Sequence, residues 1–130
     1  MTTDTALAFL TVLFIGHTLA DFTPLQSSRM LQAKTVGSLV GIMPHGFVHG
    51  LMVGVITLLF GFGYVLALVL LFIELFIHTF TDWIKARLSV RYQSFGDSTK
   101  QAYWTLFGVD QLIHVLTKVL IVVIVHHTQV

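Results

Sequence analysis

The stretch YVLALVLLFIELFIHTFTDWI, from Tyr64 to Ile84, decides how this sequence is to be read. As far as Ile73 its only polar group is the Tyr64 hydroxyl. A helix needs about 20 apolar residues at 1.5 Å rise to cross the hydrocarbon of a bilayer, and this run supplies them. Yet Glu74, His78 and Asp82 stand inside it at four-residue steps. Residues at i and i+4 share a helical face, so the three form one polar stripe on an apolar rod. A charged side chain at mid-membrane costs on the order of 2.5–3.5 kcal/mol on insertion scales. The stripe is tolerable only where it faces protein and meets a partner, a cation or water.

Three further apolar segments flank this one. Residues 6–22 end before Thr23-Pro24, a helix-stopping pair. Residues 38–60 carry Pro44 near their start, where a kink is expected, and Gly61-Phe62-Gly63 then makes a tight turn into the Tyr64 segment. The last segment covers residues 104–125. The fold class expected is all-α: a polytopic membrane protein, one domain over residues 1–130, built as a four-transmembrane-helix bundle with two short interfacial or cytoplasmic connections. Residues 25–33 and 85–92 mix apolar and basic positions, a pattern that suits interfacial helices and plain solvated loops equally. Thr18-Leu19-Ala20 before Asp21 has the look of a signal-peptide cleavage site. The N-terminus offers only Asp4 where such a peptide wants basic residues, so the first segment is read as a retained helix.

Composition agrees. Hydrophobic residues make up 55% of the 130 and charged residues 10%, against about 25% charged in soluble domains. The net charge of +1 gives no electrostatic basis for nucleic-acid binding, so no nucleic-acid partner is expected. Cysteine is absent, which removes disulfides, thiolate metal sites and a cysteine nucleophile. Orientation follows from the basic residues. Arg29 and Lys34 lie in one connection, and Lys85, Arg87, Arg91 and Lys100 in another, whereas the N-terminus, the Gly61 turn and the C-terminal tail have none. The positive-inside rule puts both basic connections in the cytoplasm and both termini on the periplasmic or extracellular side.

Every segment repeats the four-residue step: His17 and Asp21, His45 and His49, Glu74, His78 and Asp82, Asp110 and His114. With alternating helix directions, each set falls toward the basic end of the bundle. Glu74 lies eight residues deeper than Asp82, and Lys118 eight residues deeper than Asp110, so these two are expected to neutralise each other as a buried ion pair. His126 and His127 belong to a solvated end.

Imidazole and carboxylate groups suit zinc, iron, manganese or nickel. The set His17, Asp21, His45, His49, His78, Asp82, Asp110 and His114 is large enough for two divalent ions with open positions, the arrangement that activates water for hydrolysis. Asp21, Asp82 and Asp110 are the candidate catalytic carboxylates. Gln26, Lys34 and Lys85 are placed to orient an anionic group. The chemistry expected is hydrolysis of a membrane-associated phosphate or acyl ester. Alternatives are ion or proton conduction along a His/Asp relay, haem held between two histidines, and a structural or partner-binding subunit without catalysis. The bilayer is the expected surrounding, and a homo-oligomer or larger membrane complex stays open.

The strings His17-Thr-Leu-Ala-Asp21-Phe22 with Gln26 and Lys34, His45-Gly-Phe-Val-His49, His78-Thr-Phe-Thr-Asp82 with Lys85, and Asp110-Gln111-Leu-Ile-His114 resemble, in that order, a family of small bacterial and phage-associated membrane proteins known as domain of unknown function 3307. The resemblance covers almost the whole chain. It implies an integral protein of the bacterial inner membrane without implying an activity. A looser likeness is to membrane-bound metal-dependent hydrolases, which also place His and Asp near helix ends. Fold-level analogy of that kind does not carry function.

Overall fold

A computed structural model describes residues 1–129. The chain forms α1 (Thr3–Phe22), α2 (Ser28–Val36), α3 (Leu39–Leu59), α4 (Tyr64–Arg91), the single turn α5 (Gln93–Gly96) and α6 (Gln101–Thr128). No strand occurs among the described residues. Four helices, α1, α3, α4 and α6, are long and apolar enough to cross a membrane. The protein is an all-α polytopic bundle.

Local chemistry sets the breaks. Thr2, Ser27 and Ser38 each accept a backbone N–H at the start of α1, α2 and α3. Gly37 closes α2 in the left-handed region at φ 64°, as a C-terminal glycine does. α3 runs from Leu39 to Leu59 with Pro44 in its second turn. One difference from the sequence reading follows. Residues 85–91, expected as a separate interfacial helix or a loop, extend α4 by two turns without a break, because no glycine or proline interrupts them. The other interfacial helix begins at Ser28, once Ser27 can cap it, and runs to Val36.

α1 packs on α3 and α6, and α4 packs on α3 and α6, closing a four-helix ring. α2 lies across the basic end against α3 and α4, and α5 bridges α4 and α6 there. Lipid tails are as apolar as leucine, so close backbone approach has to supply the packing. α3 provides it with Gly46, Gly50 and Gly54, one per turn, set against Leu75 O, Leu71 O and Ala67 O of α4. The outer surface is apolar, with Leu7, Leu51, Val55, Leu68, Phe76 and Leu116 all exposed. The far half of the interior is also apolar, sealed by Phe9, Leu13, Val53, Ile56, Leu70 and Ile121. A smaller cluster of Ala33, Ile42 and Ala86 lies beneath α2. Between these two layers the buried residues turn polar.

A β-carbon at Gly50 would come within 2.6 Å of the Leu71 carbonyl oxygen, whereas one at Gly108 meets nothing within 4 Å. Gly50→Ala is expected to destabilise the bundle by about 1–3 kcal/mol through overpacking. Gly108→Ala should be neutral or stabilising by up to about 1 kcal/mol. Denaturant titration of the two variants in detergent, showing equal midpoints, would refute the glycine seam.

Candidate metal centre

Each spanning helix delivers its polar step to the same layer. His17 and Asp21 come from α1, His45 and His49 from α3, Glu74, His78 and Asp82 from α4, and Asp110, His114 and Lys118 from α6. His45, His49, His78 and His114 are at most 1% exposed, and Glu74, Asp82 and Asp110 at most 4%. The five imidazoles are in mutual contact. His49 stacks on His78 with centroids 3.6 Å apart, His78 stacks on His114 at 4.1 Å, and His17 touches His49, His78 and His114.

Carboxylates are threaded through these rings. Asp21 Oδ1 lies 3.0 Å from His45 Nε2 and 3.3 Å from His49 Nε2, while its Oδ2 is 3.2 Å from His17 Nε2. Asp82 sits centrally: Oδ2 is 3.5 Å from His45 Nε2 and 3.7 Å from His78 Nε2, and Oδ1 is 3.5 Å from His114 Nε2. Asp110 Oδ1 is 3.5 Å from His114 Nε2. Below this layer Lys118 Nζ donates to Glu74 Oε1, which also lies 3.4 Å from His78 Nδ1.

Three lysines face the four carboxylates. Lys34 Nζ is 2.6 Å from Asp82 Oδ2, and Lys85 Nζ donates to Asp110 Oδ2 at 2.7 Å. Both ammoniums therefore neutralise carboxylates of the cluster. Gln26, with its amide oriented to satisfy both ends, donates to the Asp21 backbone carbonyl at 3.0 Å and accepts from Lys34 Nζ at 2.9 Å. It braces the cluster from the α1–α2 loop. Gln111, to which the sequence reading gave no role, donates to Asp110 Oδ2 at 3.2 Å. Its signals in sequence were adjacency to Asp110 and a place in the string Asp110-Gln111-Leu-Ile-His114. Asp97, the remaining acid at this end, is engaged locally by the Thr99 hydroxyl and amide. His126 and His127 lie at the opposite end of α6.

The donor set fits a cation. Three groups have ligand atoms lying within 4.8 Å of one another: Asp21, His45, His49 and His78; His78, Asp82 and His114; and His17, His49, Glu74 and His78. Bonds to zinc of about 2.0–2.2 Å put tetrahedral ligand atoms about 3.4 Å apart, so side-chain shifts on the order of an ångström would close each group. Both ring nitrogens of His17, His78 and His114, with Nδ1 of His45, Glu74 Oε2 and Asp110 Oδ1, are buried without a directed hydrogen bond. Each such atom costs about 1–3 kcal/mol unless something satisfies it. With neutral imidazoles the four carboxylates exceed the three lysines by one negative charge.

An all-α membrane-spanning bundle with a buried His/carboxylate cluster at one end is thus the class of protein defined by fold and site. The chain belongs to the family described as "Protein of unknown function (DUF3307)", whose profile matches residues 9–130. No curated protein and no solved structure matches the chain, so the likeness to membrane-bound hydrolases gains no support from comparison.

Lys118→Met leaves Glu74 buried and unpaired, and is expected to destabilise the bundle by about 3–5 kcal/mol. The double variant Glu74→Gln, Lys118→Met should recover most of that loss. Thermal unfolding of the single and double variants checks this, and equal losses in both would contradict the pairing.

Proposed function

We propose that the cluster is a two-metal hydrolytic centre at the cytoplasmic side of a bacterial inner membrane, acting on a phosphate or acyl ester presented by the membrane. The observation that carries this reading is the crowding of unsatisfied imidazole and carboxylate atoms from all four spans into one layer. Asp21, His45 and His49 would hold one ion, His78 and His114 the other, with Asp82 facing both. Zinc, manganese and iron all accept such ligands. Paired divalent ions supply a nucleophilic water at neutral pH and stabilise charge on the reacting oxygens.

The remaining groups divide the work. Asp110 lies outside the three ligand groups and is braced by Lys85 and Gln111, so it is the carboxylate placed to accept the proton of the attacking water. Water adds to phosphorus or to the acyl carbon, the ester bond breaks, and the departing oxygen takes up a proton. Lys34 and Lys85, which lie against Asp82 and Asp110, would hold the anionic group.

Ion or proton movement is the competing reading, and the deep Glu74–Lys118 pair favours it. Beyond that pair, however, Phe9, Leu13, Val53, Ile56, Leu70 and Ile121 close the bundle with hydrocarbon, which offers no polar path to the far side.

Elemental analysis of detergent-purified, metal-reloaded protein should find up to two equivalents of a transition metal. Asp82→Asn and His114→Ala should each lose most of it, along with hydrolysis of an aryl phosphate or acyl ester. Protein devoid of metal after reloading ends the proposal. Because ligands bind as neutral imidazole and ionised carboxylate, metal binding should release protons, and metal affinity should fall as the pH is lowered. Bound metal at 100 times its dissociation constant should raise stability by about 2.7 kcal/mol, a gain removed by chelator and read as a lowered Tm.

A further inference from the structure

Two spaces meet at Lys34, Asp82 and Lys85. One, of about 180 Å³, is walled by Phe22 and Phe107 beside Asp21, Gln26 and Asp110, between the end of α1 and α6. Phe22, the last residue of α1, is 68% exposed at the rim of this space. The other, of about 720 Å³, lies between α2, the last turns of α4 and the start of α6. Leu31, Ala86, Val90 and Tyr103 give it apolar walls, and Gln32, Thr35 and Ser89 add hydrogen-bonding groups. It lies toward the basic end of α4 from Asp82, at the level of Trp83, Tyr92, Tyr103 and Trp104, the residue types that sit among lipid headgroups.

We infer that these two spaces receive the two ends of one molecule: a membrane lipid whose phosphate carries a bulky organic headgroup. The inference rests on the hydrolytic reading and specifies its substrate class. Lipid chains approach on the Phe22 and Phe107 side, the phosphate stops at Lys34, Asp82 and Lys85, and the headgroup occupies the larger space. Volume supports this, because sites that enclose a drug-sized molecule run to about 300–1,000 Å³, far more than a bare phosphate fills. Charge supports it as well. Arg29, Arg87, Arg91 and Lys100 join the two lysines at this end, and Asp97 is the only acid here outside the cluster. A lipid phosphomonoester would leave the larger space unused, and a water-soluble headgroup alone would leave the apolar rim of Phe22 and Phe107 unused.

The chain has no cysteine, so a single reporter can be placed in the larger space. Val90 lines it and is 54% exposed, which lets Val90→Cys be made without touching the core. Ser98→Cys, outside that space, is the control. Full-length variants in phosphatidylcholine nanodiscs are alkylated with a water-soluble maleimide, with and without chelator. Cytidine diphosphate diacylglycerol is the headgroup-bearing probe, phosphatidic acid the monoester, and free cytidine diphosphate the soluble headgroup. The headgroup lipid at about ten times its dissociation constant is expected to slow labelling at position 90 roughly tenfold, with phosphatidic acid and cytidine diphosphate slowing it less than about twofold. Labelling at position 98 stays constant throughout.

Equal protection by all three probes, or by none, overturns the inference. Protection confined to the free nucleotide assigns the space to a soluble ligand and overturns it too. Hydrolysis is followed in the same nanodiscs by release of phosphate or headgroup: protection by the headgroup lipid without turnover upholds binding of that lipid across the two spaces while the hydrolytic reading fails. Metal-dependent turnover of either lipid without protection does the reverse.

Discussion

Hydrocarbon cannot solvate charge, and that single constraint organises this molecule. Four carboxylates, five imidazoles and three ammoniums meet in one cluster, most of them buried, in a chain whose outer face is apolar. None of these groups would be stable alone at that depth. Each helix can place its polar step inside the membrane only because the other three do so at the same level. The glycine seam of α3 on α4 draws His45 and His49 against His78 and Asp82. The ring closure of α1 and α6 then brings His17, Asp21, Asp110 and His114 onto the same rings.

Compensation within the cluster is graded by depth. At the bottom, Glu74 and Lys118 neutralise each other beside the hydrocarbon plug, with almost no exposure. In the middle, imidazoles stack and meet carboxylates at 3.0–3.7 Å, close enough for attraction but with many nitrogens lacking a directed bond. At the top, Lys34 and Lys85 arrive from outside the apolar runs and remain about a quarter exposed. Lysine is a flexible point charge on a long stem. It can balance a carboxylate in one state and withdraw to an outside anion in another.

Much of this was legible in the sequence, and for definite reasons. The Tyr64–Ile84 run announced a span by length, and the four-residue step from Glu74 to Asp82 announced an interior face. Recurrence of that step on every segment, together with the basic connections, located the cluster at one end. Helix rotation was not legible, so which nitrogen faces which oxygen had to come from coordinates. The length of α4 was hidden because apolar content falls after Ile84 while helical propensity does not. The pairing of Lys34 with Asp82 and Lys85 with Asp110 was hidden as well. Positive-inside flanking explains a basic residue at those positions just as well, and contact between α2 and α4 depends on Gly37 turning the chain. The larger space beside Val90 exists only through that placement of α2, which no local pattern encodes.

The most direct test of the account is anomalous X-ray diffraction from crystals of metal-reloaded protein. The account predicts anomalous peaks within the cluster, bonded at about 2.0–2.2 Å to imidazole nitrogens and carboxylate oxygens drawn from more than one spanning helix. An interior that refuses metal, with its histidines satisfied by ordered water and by one another, would contradict it.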